Sequence, residues 1–504
     1  MKSQARLVLH ALSYCVAVGL AGGCMMGPKY SRPETPAETA TSFVHAPATQ
    51  VAGGVEELDC WWERFGDPVT ADLVRQALEG NYDLKASAAR VLQAREGLSE
   101  AKGRLWPEVS YGITRDRSKR YFNFGGGGGG GEGLDDPNNP LLSAFSGGFS
   151  PLTTTWSQDI SVSYLVDFWG KLRRAKRAAW EDLLASEANR QALTNSTIAL
   201  VIQARIDVAV AQRRLALAKA DVESLERTLD ITERRHRQGV IGPVDVRLAR
   251  ASLEGAKAQE PGIASALAMS RHSLDVLVGR RPGASPDLPE TLADLPELAS
   301  APVGVPGALL DRRPDVRAAE FALRAANERV GVSIAQLYPD LILSASYGRS
   351  ADRWEDIWKD FSETYSAAFN LAQPIFRGGQ LRAQVRAAKA RYEEAAAVYG
   401  GVVLDAMRQV EDALIGEQLL QRQLEHAQVQ LQESRAAEEL SRRRYEQGVE
   451  GLLTVLESER RRHAAEEQLA ILKGQLWTTR VNLHLALGGD WAGAPVDQSQ
   501  VVKK

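Results

Sequence analysis

The chain has 504 residues, 25% of them charged and 44% hydrophobic, with a formal net charge of −3. Acids and bases alternate along helical stretches, so the balance carries no footprint for nucleic acid and most charges read as solvated helix faces. A chain this long could hold several domains, but an internal duplication argues for one architecture built from two halves.

The first residues read as a secretory signal over 1–23: Lys2 and Arg6 precede an apolar run from Leu7 to Leu20, then Ala21, Gly22, Gly23 and Cys24. Roughly 14 apolar positions are too few to span a bilayer as a helix. Cys24 after small residues resembles a bacterial lipoprotein processing site, which implies acylation of its thiol. The pattern departs in one respect, since Leu20 stands four residues before Cys24 rather than three. The alternative is ordinary cleavage with an incidental cysteine. If Cys15 leaves with the signal and Cys24 is acylated, Cys60 is the remaining thiol and no internal disulfide forms. Residues 24–60, rich in Pro, Ala and Thr through Val55, lack periodicity and read as an extended tether.

A first repeat is expected over 61–282 and a second over 313–488, joined by a connector at 283–312 and followed by a tail at 489–504. "DLKASAARVLQAREGLSEAKGRLWPEVSYG" from Asp83 is echoed by "DVRAAEFALRAANERVGVSIAQLYPDLILSASYG" from Asp315. Asp83/Asp315 and Pro107/Pro339 share an offset of 232 (339 − 107), whereas Gly170/Gly379, Gly239/Gly448 and Gly279/Gly488 share 209 (448 − 239). The difference of 23 residues therefore lies between Pro107 and Gly170. Such a repeat decides the fold before any local motif does.

Asp67-Pro68 starts a helix that Pro107 stops, and Pro314 to Pro339 repeats the pattern. The period then changes to two. Val109, Tyr111 and Ile113, then Ile160, Val162, Tyr164 and Val166, alternate with polar or small residues, as do Leu341, Leu343, Ala345 and Tyr347, then Tyr365, Ala367, Phe369 and Leu371. Strands are predicted at about 107–120, 156–168, 339–351 and 363–375, each with one apolar face. Taken singly, each fits a half-buried soluble sheet as well as a membrane barrel. The loops favour the barrel: the first pair is joined by a long segment with seven consecutive glycines, Gly125 to Gly131, as on the external side of an outer-membrane barrel. The extra residues of the first copy fall in this loop, where insertion costs little.

Helices are predicted at 170–238 and 379–447, without proline, and return helices at 243–279 and 451–487. Each long helix would extend roughly 100 Å. Leu215, Ala218, Val222, Leu225 and Leu229, and Val403, Met407, Val410, Leu414, Leu420, Leu424, Ala427 and Leu431, lie at coiled-coil spacing with a skip after Leu414. Gly239 and Gly448 end the long helices.

The fold class expected is thus an α+β membrane protein. Four strands cannot close a barrel, and an open edge in lipid leaves backbone groups unpaired, so several protomers must contribute strands to one pore.

"MGPKYSRPETP" after Cys24, "WWERFGDP" at Trp61, "LLDRRPDVRAAE" at Leu309, the paired "QGV" turns and "LALGGDW" at Leu485 resemble outer-membrane efflux factors of the TolC type, in particular the lipoprotein branch serving resistance–nodulation–division pumps. The resemblance covers the chain from Cys24 to Trp491. It implies a homotrimer with a twelve-stranded barrel embedded in outer-membrane lipid and a periplasmic helical tunnel. It also implies an equatorial collar from segments near Asp287 to Leu310 and the C-terminus. The partners it implies are a periplasmic adaptor and an inner-membrane pump. Gating would occur at the helical turns. Tyr445 matches a tyrosine that holds the closed state, Glu450 a charged aperture residue and Glu457 an aperture carboxylate. Thr454 stands where Asp is common, and Asp245 takes the equivalent place in the first copy (454 − 245 = 209), as Ile241 does for Glu450 (450 − 241 = 209). Three copies of Glu450 or Glu457 on an axis would form a like-charge ring that weakens closure unless paired. The plainer reading of each is a solvated acid near a helix start.

No catalytic or cofactor constellation is expected: the seven histidines are scattered, and the glycine run lacks the Lys-Ser/Thr ending of a phosphate loop. Met25, Met26, Met269 and Met407 are the methionines left after processing, too few for a dedicated copper or silver route. A rival reading is a periplasmic coiled-coil lipoprotein acting as a tether or adaptor. It does not account for alternating hairpins at matched places in both copies.

Overall fold

A computed structural model describes residues 25–46, 62, 67–121, 150–284, 288–289 and 306–489. The signal, Cys24, Cys60, the glycine run and residues 490–504 lie outside the described residues.

The elements follow the duplication. After the short α1 (Pro36–Thr39) come α2 (Pro68–Gly80), α3 (Tyr82–Gly103), β1 (Glu108–Lys119), β2 (Leu152–Val166), α4 (Lys171–Arg237) and α5 (Pro243–Leu277). The second half gives α6 (Leu309–Arg312), α7 (Pro314–Ala335), β3 (Asp340–Ala351), β4 (Glu363–Ala372), α8 (Gln380–Glu446) and α9 (Leu452–Ala486). β2 begins four residues earlier than expected, because Thr153, Thr154 and Thr155 carry no apolar alternation yet pair with Ser118, Arg117 and Asp116 and suit extended backbone as β-branched residues. β4 stops at Ala372, shortly before Pro374, which cannot donate to a ladder.

The described chain forms two compact units, neither of which is a single repeat. One holds the described parts of Met1–Tyr30, Glu96–Trp180 and Ala325–Tyr392. Its centre is one antiparallel four-stranded sheet in the order β1-β2-β3-β4. The registers align rows across it, so the two faces can be read directly. On one face lie Val109, Val162, Ala345 and Ala367; then Tyr111, Ile160, Tyr347 and Tyr365; then Ile113, Gln158, Arg349 and Glu363. The other face is small and polar. One of its rows is four serines, Ser110, Ser161, Ser346 and Ser366, with 2.8 Å hydrogen bonds joining Ser110 to Ser161 and Ser346 to Ser366. Every residue of β4 is exposed, and β1 is nearly so.

The residues after Cys24 are fixed against this unit where β2 ends. The Met26 N–H donates to the Trp169 carbonyl at 3.1 Å, and Gly27 lies so close to Gly331 that a Cβ would approach its Cα to 2.6 Å. Trp169 stacks on Tyr338 with ring centroids 4.8 Å apart.

The second unit holds the described parts of Ser31–Arg95, Glu181–Arg324 and Glu393–Lys504. Asp67 caps α2 as expected, accepting from the Val69 N–H at 3.0 Å with Pro68 at the first helical position. An 18-residue window within α4 is apolar enough to cross a membrane by composition, but 67% of it is buried. Ile198, Val201, Ile202, Ile206 and Val208 of that helix pack with Leu73, Val74, Leu274, Trp477 and Val481, which explains the apolarity as protein core.

Candidate aperture at the helical turns

The turns are set by glycine. Gly239 and Gly448 have φ of 76° and 81°, a region other residues reach only with strain. In each turn the glycine N–H returns to His236 or Tyr445 at 2.9 Å, and the next N–H, of Val240 or Val449, reaches Arg235 or Arg444 at 3.1 and 3.0 Å. These paired bonds satisfy carbonyls that a helix end leaves open.

Tyr445, 3% exposed, packs with Ala249, Leu452 and Val455. The Arg235 guanidinium of α4 lies over its ring, 4.5 Å from the centroid, and donates to the Tyr445 carbonyl. The Tyr445 hydroxyl reaches Thr232 at 3.5 Å. One side chain of the second copy is thus gripped by a long helix of the first.

The two glutamates are paired. Glu450 accepts from the Thr454 hydroxyl at 3.0 Å and faces Arg444 at 3.5 Å. Glu457 accepts from Arg460 and Arg461 on its own helix, each at 2.8 Å. Their hydrogen bonds, Arg460 first, hold its carboxyl down at about 2. Glu457 therefore brings no uncompensated charge. Asp245 lies in the first turn of α5, where the helix dipole favours an acid, and the Ile241 carbonyl meets His236 Nδ1 at 2.9 Å. The structure joins Thr454 to Glu450 and leaves Glu457 in a separate cluster.

Sequence reading ended the apolar seam at Leu229 and Leu431, and so missed its continuation. Leu431, Glu438 and Tyr445 are spaced by seven, as are Leu225 and Thr232, so the signal was the heptad itself carrying polar residues. Glu459, 1% exposed, accepts from Thr228 at 2.8 Å, Ser224 at 3.2 Å and Arg442 at 2.8 Å. Arg442 also binds Glu438 at 2.8 Å. Arg462 joins Glu438, Glu466 at 2.6 Å and Asp221 at 3.7 Å, and Arg435 closes on Glu466 at 2.7 Å. Burial, above all, raises the Asp221 carboxyl, against the pull of His463 and Arg462. A buried network of this kind fixes one arrangement of helices, because any other leaves charges unpaired in low dielectric.

A sheet with one apolar face, long paired helices and turns closed by polar contacts define an outer-membrane efflux component. The chain belongs to the outer membrane efflux protein family, whose sequence pattern matches residues 73–280 and 305–489. It is 32% identical over 433 residues to the pyoverdine export outer membrane protein OpmQ of Pseudomonas putida, covering 86% of this chain and 88% of that protein. It is 29% identical over 485 residues to the toluene efflux pump outer membrane protein TtgC of Pseudomonas putida, covering 95% of each. Among solved structures, the outer-membrane channel OprN superposes with a TM-score of 0.80 at 29% identity, over 93% of this chain and all of that one.

Proposed function

We propose that three copies of this chain close a twelve-stranded barrel in the outer membrane and serve as the exit duct of a tripartite efflux pump. The cargo is small molecules delivered by an inner-membrane resistance–nodulation–division pump through a periplasmic adaptor. The observation that carries this reading is the sheet: one apolar face, one polar face, and two bare edges, β1 and β4. In lipid those edges must pair, and only further copies of the sheet supply strands of the same height. The apolar face carries a row of tyrosines, Tyr111, Tyr347 and Tyr365, around Ile160, as in barrel girdles.

The adaptor contact is read from the turns. Val240 and Val449, and Val244 and Leu453, occupy equivalent places in the two copies and are 59 to 69% exposed. Four apolar side chains left in water on paired turns mark a surface that a partner covers. Two relatives, OpmQ and TtgC, are named for pyoverdine export and toluene efflux, which supports small-molecule cargo. Export leaves the cargo unchanged, so the chain is read as a channel rather than an enzyme. The hydrogen bond of the Met26 N–H to the Trp169 carbonyl, just past the end of β2, supports a lipid on Cys24, two residues earlier in the sequence.

Conductance across planar bilayers, with native mass measurement on detergent-extracted protein, tests the reading. A trimer with single-channel conductance is expected. A monomer extracted in buffer alone, without conductance, would instead support the coiled-coil tether.

A further inference from the structure

The charges on the sheet are segregated by face. Glu108, Asp116, Asp159 and Asp340 all lie on the polar face, whereas Arg115, Arg117, Lys119 and Arg349 lie on the apolar face, with Glu363 as its one acid. Three of these bases follow Val109, Tyr111 and Ile113 along β1, so they continue the lipid-facing stripe beyond the tyrosine row towards the loop end. Opposite them on β2 stand Trp156, Thr154 and Leu152, none of them charged. Arg115 lies over the Trp156 ring at 5.0 Å, and Trp156 meets Trp354 edge-on at 5.2 Å. Arg349 is the least available of the four, since Glu363 stands opposite and the Ile357 carbonyl accepts from it at 3.5 Å.

Solubility does not account for this placement, because bases at random would appear on both faces. Nor does lumen chemistry, because these side chains point away from the polar face. Membrane surroundings do: on the barrel reading, this level is the headgroup layer of the outer leaflet. Even with one carboxylate per edge, Glu363, against them, three cations leave a net positive collar around the barrel.

We propose that Arg115, Arg117 and Lys119, with Trp156 as a stacking floor, form a binding site for the phosphate groups of the anionic glycolipid of the outer leaflet. Arginine forks match phosphate oxygens in pairs, lysine adds a point charge, and the indole fits the boundary between sugar and acyl chain. The inference rests on the barrel reading above.

The test uses full-length protein in detergent, wild type and R115Q/R117Q/K119Q, with bisphosphorylated glycolipid and its dephosphorylated form as probes, read by native mass spectrometry. Each base beside an anionic surface is worth roughly a fivefold gain in affinity. The triple variant should therefore bind the bisphosphorylated lipid on the order of 100-fold more weakly, and the dephosphorylated lipid should bind both proteins equally poorly. Equal retention of the phosphorylated lipid by both proteins overturns the proposal, as does equal binding of the dephosphorylated form to wild type. Bilayer conductance of the same samples separates the two readings. Two conducting proteins with unchanged lipid binding overturn the collar alone, whereas a wild type that forms no pore overturns the barrel and the collar together.

Discussion

Arg442 and Glu459 form in the second copy the ion pair that Glu233 and Arg250 form in the first, at equivalent positions (442 − 233 = 209; 459 − 250 = 209) and with the charges exchanged. Both pairs close at 2.8 Å, but the Glu459 side chain is 1% exposed and the Arg250 side chain 53%. The duplication kept the contact and reversed its sense, and only one version was drawn into the interior.

The two pairs should respond differently to removal. Glu459→Gln leaves Arg442 facing a neutral amide inside the network and should cost roughly 3 kcal/mol, the low end for a broken buried pair because Arg442 keeps some solvent. Arg250→Gln should cost under about 1 kcal/mol, as solvent-exposed pairs do. Thermal unfolding of the two variants checks the contrast, and equal losses would show that burial is not what distinguishes them.

Tyr445 should act through its ring rather than its hydroxyl. Truncation to Ala removes the packing with Ala249, Leu452 and Val455 together with the contact to Arg235, a loss of about 3–5 kcal/mol for a buried aromatic. Resting conductance of Tyr445→Ala should rise, and cells should become sensitive to large antibiotics. Tyr445→Phe should behave as wild type, since the 3.5 Å contact to Thr232 is long for a hydrogen bond. A leaky Phe variant would move the latch from the ring to the hydroxyl.

Acid should loosen the segment Ser31–Ala46. Its Arg32 donates to Glu320 at 2.7 Å, and its Val44 and His45 N–H groups donate to Glu411 at 2.6 and 3.2 Å. Burial alone would raise both carboxyls, but hydrogen bonds outweigh it and hold both below the ordinary value of 4.5. A carboxyl that is more acidic folded than unfolded contributes stability above its unfolded value and loses it as pH falls further. Hydrogen exchange in residues 31–46 should therefore be slow near neutrality and accelerate below about 4.5, with Glu320→Gln accelerating it already at pH ~7. Exchange that ignores both pH and substitution would sink the idea.

The hairpins and helix pairs were legible because their signals are local: alternation along Val109, Tyr111 and Ile113, and glycine after each long helix. The resemblance proposed Glu457 as an aperture carboxylate, but the residues that set its charge state, Arg460 and Arg461, are surface arginines that read as solvated. The Glu459 network was illegible for a different reason. The heptad positions seven residues past Leu225 and Leu431 hold Thr232 and Glu438, and a polar residue at core spacing reads as the end of a seam until its partners on other helices are known. The segregation of charge between the faces of the sheet needed the strand registers, which no single strand supplies.

The polar face of the sheet should make the pore favour cations. It carries Glu108, Asp116, Asp159 and Asp340 and no base, and Asp340 is paired with Lys171 at 3.0 Å. Asp159 stands between Gly112 and Gly348 in its row; a Cβ at Gly348 would come within 2.7 Å of the Asp159 Cα. Glycine on both sides leaves no side chain beside this carboxylate in its row, so in the proposed barrel its charge would face the lumen. Asp159→Asn removes about a third of the unpaired strand charge in the pore and should shift the reversal potential in a salt gradient towards zero, with single-channel conductance reduced by less than about half. Asp116→Asn, near the loop end where the bath dilutes its field, should shift it less. Reversal potentials unchanged by either substitution would mean that selectivity is set elsewhere along the conduit, with the turns the next place to measure.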